Sequence, residues 1–316
     1  MNGPPLLAAA TGLFAAAPNL PPWLFYDERG SELFEEITRL PEYYLTRAER
    51  YILEAHADDI LQLAASDHPT QVIEFGAGSA TKSQILLEAL VRRQGPTLYL
   101  PVDVSGSALD GATERLRREA PQVELRPIRG THTDALPALR ALGPNRLVLF
   151  LGSSIGNFED PAAIEFLSQI AAVLPPGGAL LLGTDRAKDP ARLLPAYDDA
   201  AGVTAAFNRN LLVRLNRELE TDFDLSAWRH EARWNRARSR IEMHLVSERA
   251  QQVRVPGLGA ATFGCGDSIH TESSHKYDEA HVDRLLHAAG FSRVSTFTDP
   301  EGLFDLHLAL RVASLD

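Results

Sequence analysis

The stretch Gln71-Val72-Ile73-Glu74-Phe75-Gly76-Ala77-Gly78-Ser79 decides the fold. An apolar, β-branched run ends at a carboxylate and two glycines, and the following TKSQILLEALVRR has helical periodicity. A strand that turns through glycine into a helix exposes backbone amides to a ligand, because glycine has no Cβ to hold the ligand off. A dinucleotide fingerprint would carry a third glycine at position 81. Thr81 stands there, which disfavours a pyrophosphate. The next β-rich run, LYLPVDV, ends at Asp103, where a carboxylate can accept hydrogen bonds from both ribose hydroxyls. Gly76, Gly78 and Asp103 together predict a nucleoside-containing cofactor.

Working outward, SALDGATERLRREA, LVLFLG, AIEFLSQIAAVL and ALLLGTD continue the alternation of helix and strand, the rhythm of a parallel sheet covered by helices. The rhythm stops near residue 190. Between there and about 275 the pattern is mixed, with strands expected at RIEMHLVS and QQVRV, and it reads as an inserted second domain. The sheet resumes with the amphipathic YDEAHVDRLLHAAGF and two closing strands, RVSTFTD and LFDLHLALR. Those closing strands and the missing third glycine favour S-adenosylmethionine over a nicotinamide dinucleotide. The first fifty residues read as short helices, with Ser31 expected to cap one and Thr46 to Glu49 forming a capping box that opens the next. The expected division is a cofactor domain over 48–187 plus 277–316 and an acceptor domain over 1–47 plus 188–276.

Composition narrows the function classes. A net charge of -11 repels phosphate backbones, so no nucleic acid is expected as a partner and a small molecule is favoured. No run approaches the roughly 18 apolar residues of a spanning helix, and no basic residue precedes Arg29, so no membrane is expected and residues 4–17 read as a cytosolic arm. One cysteine, Cys265, excludes an intrachain disulfide and fits a cytoplasmic protein. The ten histidines show no metal-ligand spacing, and no metal is assigned. Lys82, Lys188 and Lys276 are the only lysines in an arginine-rich chain, which marks them as positions that need a compact ammonium.

Longer motifs go further. FYDERGSELFEEITRLPEYYLTRAE, FLGSSIGNF, LLGTDRAKD, AYDDAAGVTAAFNRNLL and HTESSHKY resemble the bacterial histidine Nα-methyltransferases of ergothioneine biosynthesis, over about residues 20 to 312. The resemblance implies a class I methyltransferase fold, an α/β Rossmann-like sheet joined to a mixed α+β substrate domain. It implies S-adenosylmethionine against Gly76, Gly78 and Lys82, with the ribose on Asp103. Thr131 and His132 stand where some relatives place an acidic-aromatic pair beside the adenine. It also implies L-histidine or its methylated forms as acceptor, with the carboxylate on Tyr43, Asn157 and Tyr197 and the imidazole on Glu272 and Ser274. Met243 would form a side wall, and Tyr26 would lie next to the amino group, making Tyr26 and Tyr43 the catalytic candidates. A monomer is expected, and the product would be trimethylhistidine, hercynine. The alternative is an enzyme of the same fold acting on another amino acid or small amine.

Overall fold

The computed structural model describes residues 4–64 and 68–312. The chain divides into two compact units, Met1–Tyr44 with Lys188–His275 and Leu45–Ala187 with Lys276–Asp316.

The first unit begins with α1 (Pro4–Ala10) and, after short 3-10 turns, α2 (Glu28–Ile37). Asp27, and not Ser31, caps α2: its carboxylate accepts from the Gly30 amide at 2.8 Å. A carboxylate also complements the positive end of the helix dipole. Asn210 and Arg217 donate to the same group at 2.8 and 2.7 Å, tying the N-terminal segment to residues far along the chain.

The second unit opens with α3 (Leu45–Leu63). There follow β1 (Gln71–Phe75), α4 (Ser83–Gln94), β2 (Thr97–Asp103), α5 (Gly106–Glu119), β3 (Val123–Leu125), β4 (Ile128–Arg129), α6 (His132–Arg140), β5 (Arg146–Phe150), α7 (Asp160–Val173) and β6 (Ala179–Asp185). The chain then returns to the first unit through α8 (Pro190–Leu193), α9 (Val203–Leu219), β7 (Trp228–Asn235), β8 (Arg240–Ser247), β9 (Gln251–Val255), β10 (Gly259–Phe263) and β11 (Ser268–His275). It closes in the second with α10 (Glu279–Ala288), β12 (Phe291–Thr298) and β13 (Phe304–Arg311).

In the second unit the strands run β12-β13-β6-β5-β1-β2-β3, with β4 beside β2. All pairs are parallel except those of β13, which lies antiparallel between β6 and β12. β5 and β6 are buried at every position, as expected of strands covered on both faces. The core packs Ile73, Val148, Leu180 and Leu182 of the sheet against Phe166 and Ile170 of α7 and Leu285 of α10. The strand order reverses at β1 and β5, and the loops after those strands form the crevice where such sheets bind ligands.

The first unit carries a three-stranded antiparallel sheet, β11-β8-β7, and the β9-β10 hairpin. Its two chain segments are joined by backbone hydrogen bonds, Leu20 N–H to the His270 carbonyl and His270 N–H to the Pro18 carbonyl, both 2.9 Å. α2 packs on α9, and Arg214 of α9 donates to the Leu24 carbonyl at 2.8 Å. Among the described residues no helix is long and apolar enough to cross a membrane.

Gly30 shows why glycine interrupts the α2 sequence. A Cβ there would overlap the Phe25 carbonyl oxygen and lie 2.8 Å from its carbon. Gly30→Ala, a change that stabilises a free helix by about 1 kcal/mol, should therefore destabilise this protein, by roughly 2–3 kcal/mol. Urea unfolding of the variant against the parent measures the sign.

Candidate active site

In the second unit, β1 delivers Glu74 and then the loop in which Gly76 and Gly78 take φ of 68° and 51°, conformations that glycine alone adopts without strain. A Cβ on either glycine would meet no atom within 4 Å, so the loop borders open space. Asp103, at the end of β2, accepts from the Gly78 amide and from the Ser105 amide, both at 2.8 Å. Burial pushes its carboxyl above the ordinary value, while the Ser105, Gly78 and Val104 amides pull the other way. Each oxygen keeps a lone pair for a hydroxyl. A glycine loop that borders open space beside a fixed carboxylate fits an adenosine cofactor.

Glu74 is buried beneath this loop and accepts from the hydroxyls of Ser83 and Tyr99. Burial raises its pKa to about 7. Lys82, directly before α4, is ion-paired with the fully buried Glu49 of α3, whose other oxygen accepts from the Gly152 amide at 2.7 Å. Glu49 is not the partner of Thr46 in a capping box: α3 begins at Leu45, which puts Thr46 inside the helix, and the Glu49 carboxylate meets Lys82 and Gly152. It joins the loop after β1 to the loop after β5, a role that reading it as a cap concealed. Its signal was a glutamate inside a long motif in a chain with only three lysines.

Thr131 caps α6, and its amide and hydroxyl both bond Asp134, at 2.7 and 2.8 Å. Gly130 N–H donates to the Asp103 carbonyl at 2.9 Å, which brings the Thr131-His132 pair to the end of β2. The His132 ring meets Phe166 edge-on at 4.7 Å, and burial lowers its pKa. Asn157 ends the 3-10 turn Ser154–Asn157 after β5. That turn is anchored through Ser153, in a left-handed conformation, whose hydroxyl accepts from the Asp185 amide at 2.9 Å.

In the first unit, Tyr26, Phe34, Tyr43 and Tyr197 form a chain of edge-to-face rings, with successive centroids 5.7, 6.3 and 6.4 Å apart. Phe207 of α9 supports it, 6.0 Å from both Tyr26 and Phe34. The chain ends on Ser274, whose hydroxyl is 2.8 Å from that of Tyr197. Glu272 pairs with Met243 and Ser274 with Ile241 across β11 and β8, so Glu272, Ser274 and Met243 share one sheet face. Phe34, which the sequence reads as one of the apolar positions recurring along α2, and Phe207 are members to which the sequence assigned no place at the site. Among the described residues no group of three or more His, Cys, Asp or Glu side chains could hold a metal ion.

The profile of the histidine-specific, S-adenosylmethionine-dependent methyltransferases matches residues 7–311. The chain belongs to that family. It is an S-adenosylmethionine-dependent enzyme. A histidine N-alpha-methyltransferase of Mycolicibacterium smegmatis is 45% identical over 301 residues, 95% of this chain and 92% of that one. The ergothioneine biosynthesis protein 1 of Neurospora crassa is 35% identical over 88% of this chain, which spans 32% of that longer protein. Among solved structures, a possible exported protein of Bordetella parapertussis has a TM-score of 0.51 at 15% identity, covering 92% of this chain and 85% of that one. It shares the fold.

Two measurements test the methyltransferase's cofactor unit. Asp103→Ala should weaken S-adenosylmethionine binding by about 1.5–3 kcal/mol, the range for hydrogen bonds to a charged group. Calorimetric titration of the folded variant would show unchanged affinity if Asp103 does not touch the cofactor. The second test concerns Glu74, whose folded pKa of about 7 lies above its ordinary value of 4.5. Below 4.5 the carboxyl is protonated in both states. Between 4.5 and 7 the unfolded chain ionises while the folded one keeps its proton, so the group progressively destabilises the fold as pH rises. Glu74→Gln should therefore gain on the parent across that window, by at most about 3 kcal/mol. Denaturant titrations at pH 4.5 and 7.5 give the difference.

Proposed function

We propose that this enzyme methylates the α-amino nitrogen of L-histidine, as far as the trimethylated betaine hercynine for ergothioneine formation, with the first unit recognising the acceptor. The names of the mycobacterial and Neurospora relatives support that reading. The observation that carries it is the line of aromatic rings from Tyr26 through Tyr43 to Tyr197 and Ser274, with Glu272 on the same sheet face. Action in the cytoplasm as a monomer belongs to the same proposal, and the single cysteine supports the cytoplasmic part.

When bound, the cofactor would supply an electrophilic methyl carbon on a sulfonium, to which an amine lone pair would bond in line as the C–S bond breaks and a neutral thioether leaves. The chain's part is to hold the amine neutral, aimed and dry. Within the first unit, the hydroxyls of Tyr43 and Tyr197 offer donors to an α-carboxylate without adding a cation; in the second unit, the Asn157 amide at the end of the turn after β5 is a further donor. Tyr26 presents an aromatic face, which attracts an ammonium without using its N–H donors and so tolerates their replacement by methyl groups. Glu272 and Ser274 offer an acceptor and a hydroxyl to the two imidazole nitrogens. A carboxylate in that position selects histidine, because an apolar side chain would leave its charge unpaired. Lys82, the glycine loop and Asp103 would hold the cofactor, and Thr131 and His132 would border its adenine.

Glu272→Ala should lower kcat/KM for histidine roughly tenfold to several hundredfold, the equivalent of about 1.5–3 kcal/mol, and leave cofactor affinity nearly intact. Phenylalanine turnover should fall less, or rise. Equal losses for histidine and phenylalanine in a folded variant would make Glu272 structural and remove the chemical basis for histidine recognition.

A further inference from the structure

Tyr197 is held at both ends. Its hydroxyl meets Ser274, and its backbone carbonyl accepts from His230 Nε2 of β7 at 2.8 Å. The His230 side chain is 1% exposed and its other nitrogen, Nδ1, lies 2.8 Å from Asn208 Nδ2 of α9. Asn208 is wholly buried; its Nδ2 also donates to the His244 carbonyl at 3.1 Å, and its Oδ1 lies 2.8 Å from the Thr271 hydroxyl, whose single hydrogen is shared with the Met243 carbonyl at 3.0 Å. Both hydrogens of this amide are therefore spoken for.

The geometry allows one proton arrangement. A carbonyl only accepts, so the His244 carbonyl fixes which end of the Asn208 amide is nitrogen. That nitrogen donates its second hydrogen to His230 Nδ1, which must be bare. His230 Nε2 then carries the ring's hydrogen and gives it to the Tyr197 carbonyl. Adding a proton to Nδ1 would set two donors face to face; turning the amide round would instead press its oxygen against the His244 carbonyl. The charged groups facing the ring are Asp198 at 3.9 Å and Asp199, from the segment after α8, and Arg209 of α9. Burial is the largest influence and Arg209 acts in the same direction; together they lower the pKa of His230 although the bond to the Tyr197 carbonyl and the two aspartates pull it up.

We propose that His230 and Asn208 are positioning residues for the acceptor: a buried pair, locked in the neutral Nε2–H form, that fixes the backbone of Tyr197 and thereby the hydroxyl that meets Ser274. The inference rests on the reading of Tyr197 and Ser274 as acceptor contacts. It adds a specific cause for their placement, because His230 lies on the same face of the three-stranded sheet as Met243, two residues from Ala232, its cross-strand partner.

The test uses the intact enzyme with L-histidine and S-adenosylmethionine. His230→Asn keeps an acceptor for Asn208 and removes the donor to Tyr197; His230→Gln keeps a donor at the position of Nε2. His230→Asn should raise KM for histidine about tenfold with kcat and cofactor affinity little changed, the pattern of lost ground-state positioning. His230→Gln should recover to within about threefold of the parent. Loss of equal size in both variants, or an unchanged KM in His230→Asn, would overturn the proposal. Nitrogen-15 spectra of histidine-labelled parent enzyme provide a check that needs no variant activity: the signal absent from His230→Gln should still report a neutral Nε2–H ring when pH falls through the usual 6.5, whereas titration near 6.5 would overturn the lock. Tyr197→Phe separates the two levels of the argument. A raised KM there with an unchanged one in His230→Asn defeats the positioning role alone, and an unchanged KM in Tyr197→Phe defeats the acceptor reading as well.

Discussion

A carboxylate taken out of water must be met by opposite charge and by hydrogen-bond donors, or it destabilises the fold by several kcal/mol. Glu49 is in that position, and its two partners are Lys82 and the Gly152 amide. Because those partners follow β1 and β5, satisfying one buried charge fixes the spacing of two loops on the ligand-binding edge of the sheet. Lys276 and Asp185 repeat the device: both side chains are fully buried and the ion pair measures 2.7 Å. Around that pair Tyr277 N–H donates to the Asp185 carbonyl and Ala187 N–H to the Tyr277 carbonyl, each at 2.9 Å. The chain leaves and re-enters the second unit at these residues. The third lysine, Lys188, donates to the Tyr44 hydroxyl at 2.8 Å. All three positions use an ammonium as a compact donor to one or two oxygens, a geometry that the broad guanidinium fork does not match.

The first unit is built on a different principle. Its candidate acceptor residues are joined by ring contacts and neutral hydrogen bonds, from Tyr26 to Ser274, and the buried amide and imidazole behind Tyr197 are uncharged as well. Such an environment suits methyl transfer, in which a cationic sulfonium and a neutral amine exchange charge. A fixed cation nearby would oppose the sulfonium, and loosely held charges would bring water with them.

The parallel sheet was legible because its strands are continuous apolar runs separated by amphipathic helices, and the glycine loop and Asp103 were legible because a turn into open space demands glycine. The cap of α2 was misread: Ser31 satisfies the local pattern, but Asp27 is also engaged by Asn210 and Arg217 from almost two hundred residues away. Glu49 was misread for the same reason, since a local pairing with Thr46 competes on paper with an ion pair that only the tertiary fold creates. The acceptor candidates Tyr26, Tyr43, Tyr197 and Ser274 were not legible from spacing at all. They lie in three separate stretches and were named only through the long motifs that contain them. Asn208 and His230 carried no local signal, because a polar residue on a helix and a histidine on a strand are ordinary until each is seen to occupy the other's hydrogen-bonding capacity.

The interleaving of the two units has a consequence for synthesis on the ribosome. Tyr26, Phe34 and Tyr43 emerge early, but their partners Tyr197 and Phe207 are separated from them by the whole of residues 45–187. At about 5–20 residues per second the nascent aromatic segment waits roughly ten to thirty seconds for the surface it packs on. The second unit gives no early shelter of its own, since β13, which lies between β6 and β12, comes last in its sheet. Both units therefore reach completion only when the chain is almost entirely made, and the long-range bonds from Asp27 to α9 bring an exposed, apolar leading segment home.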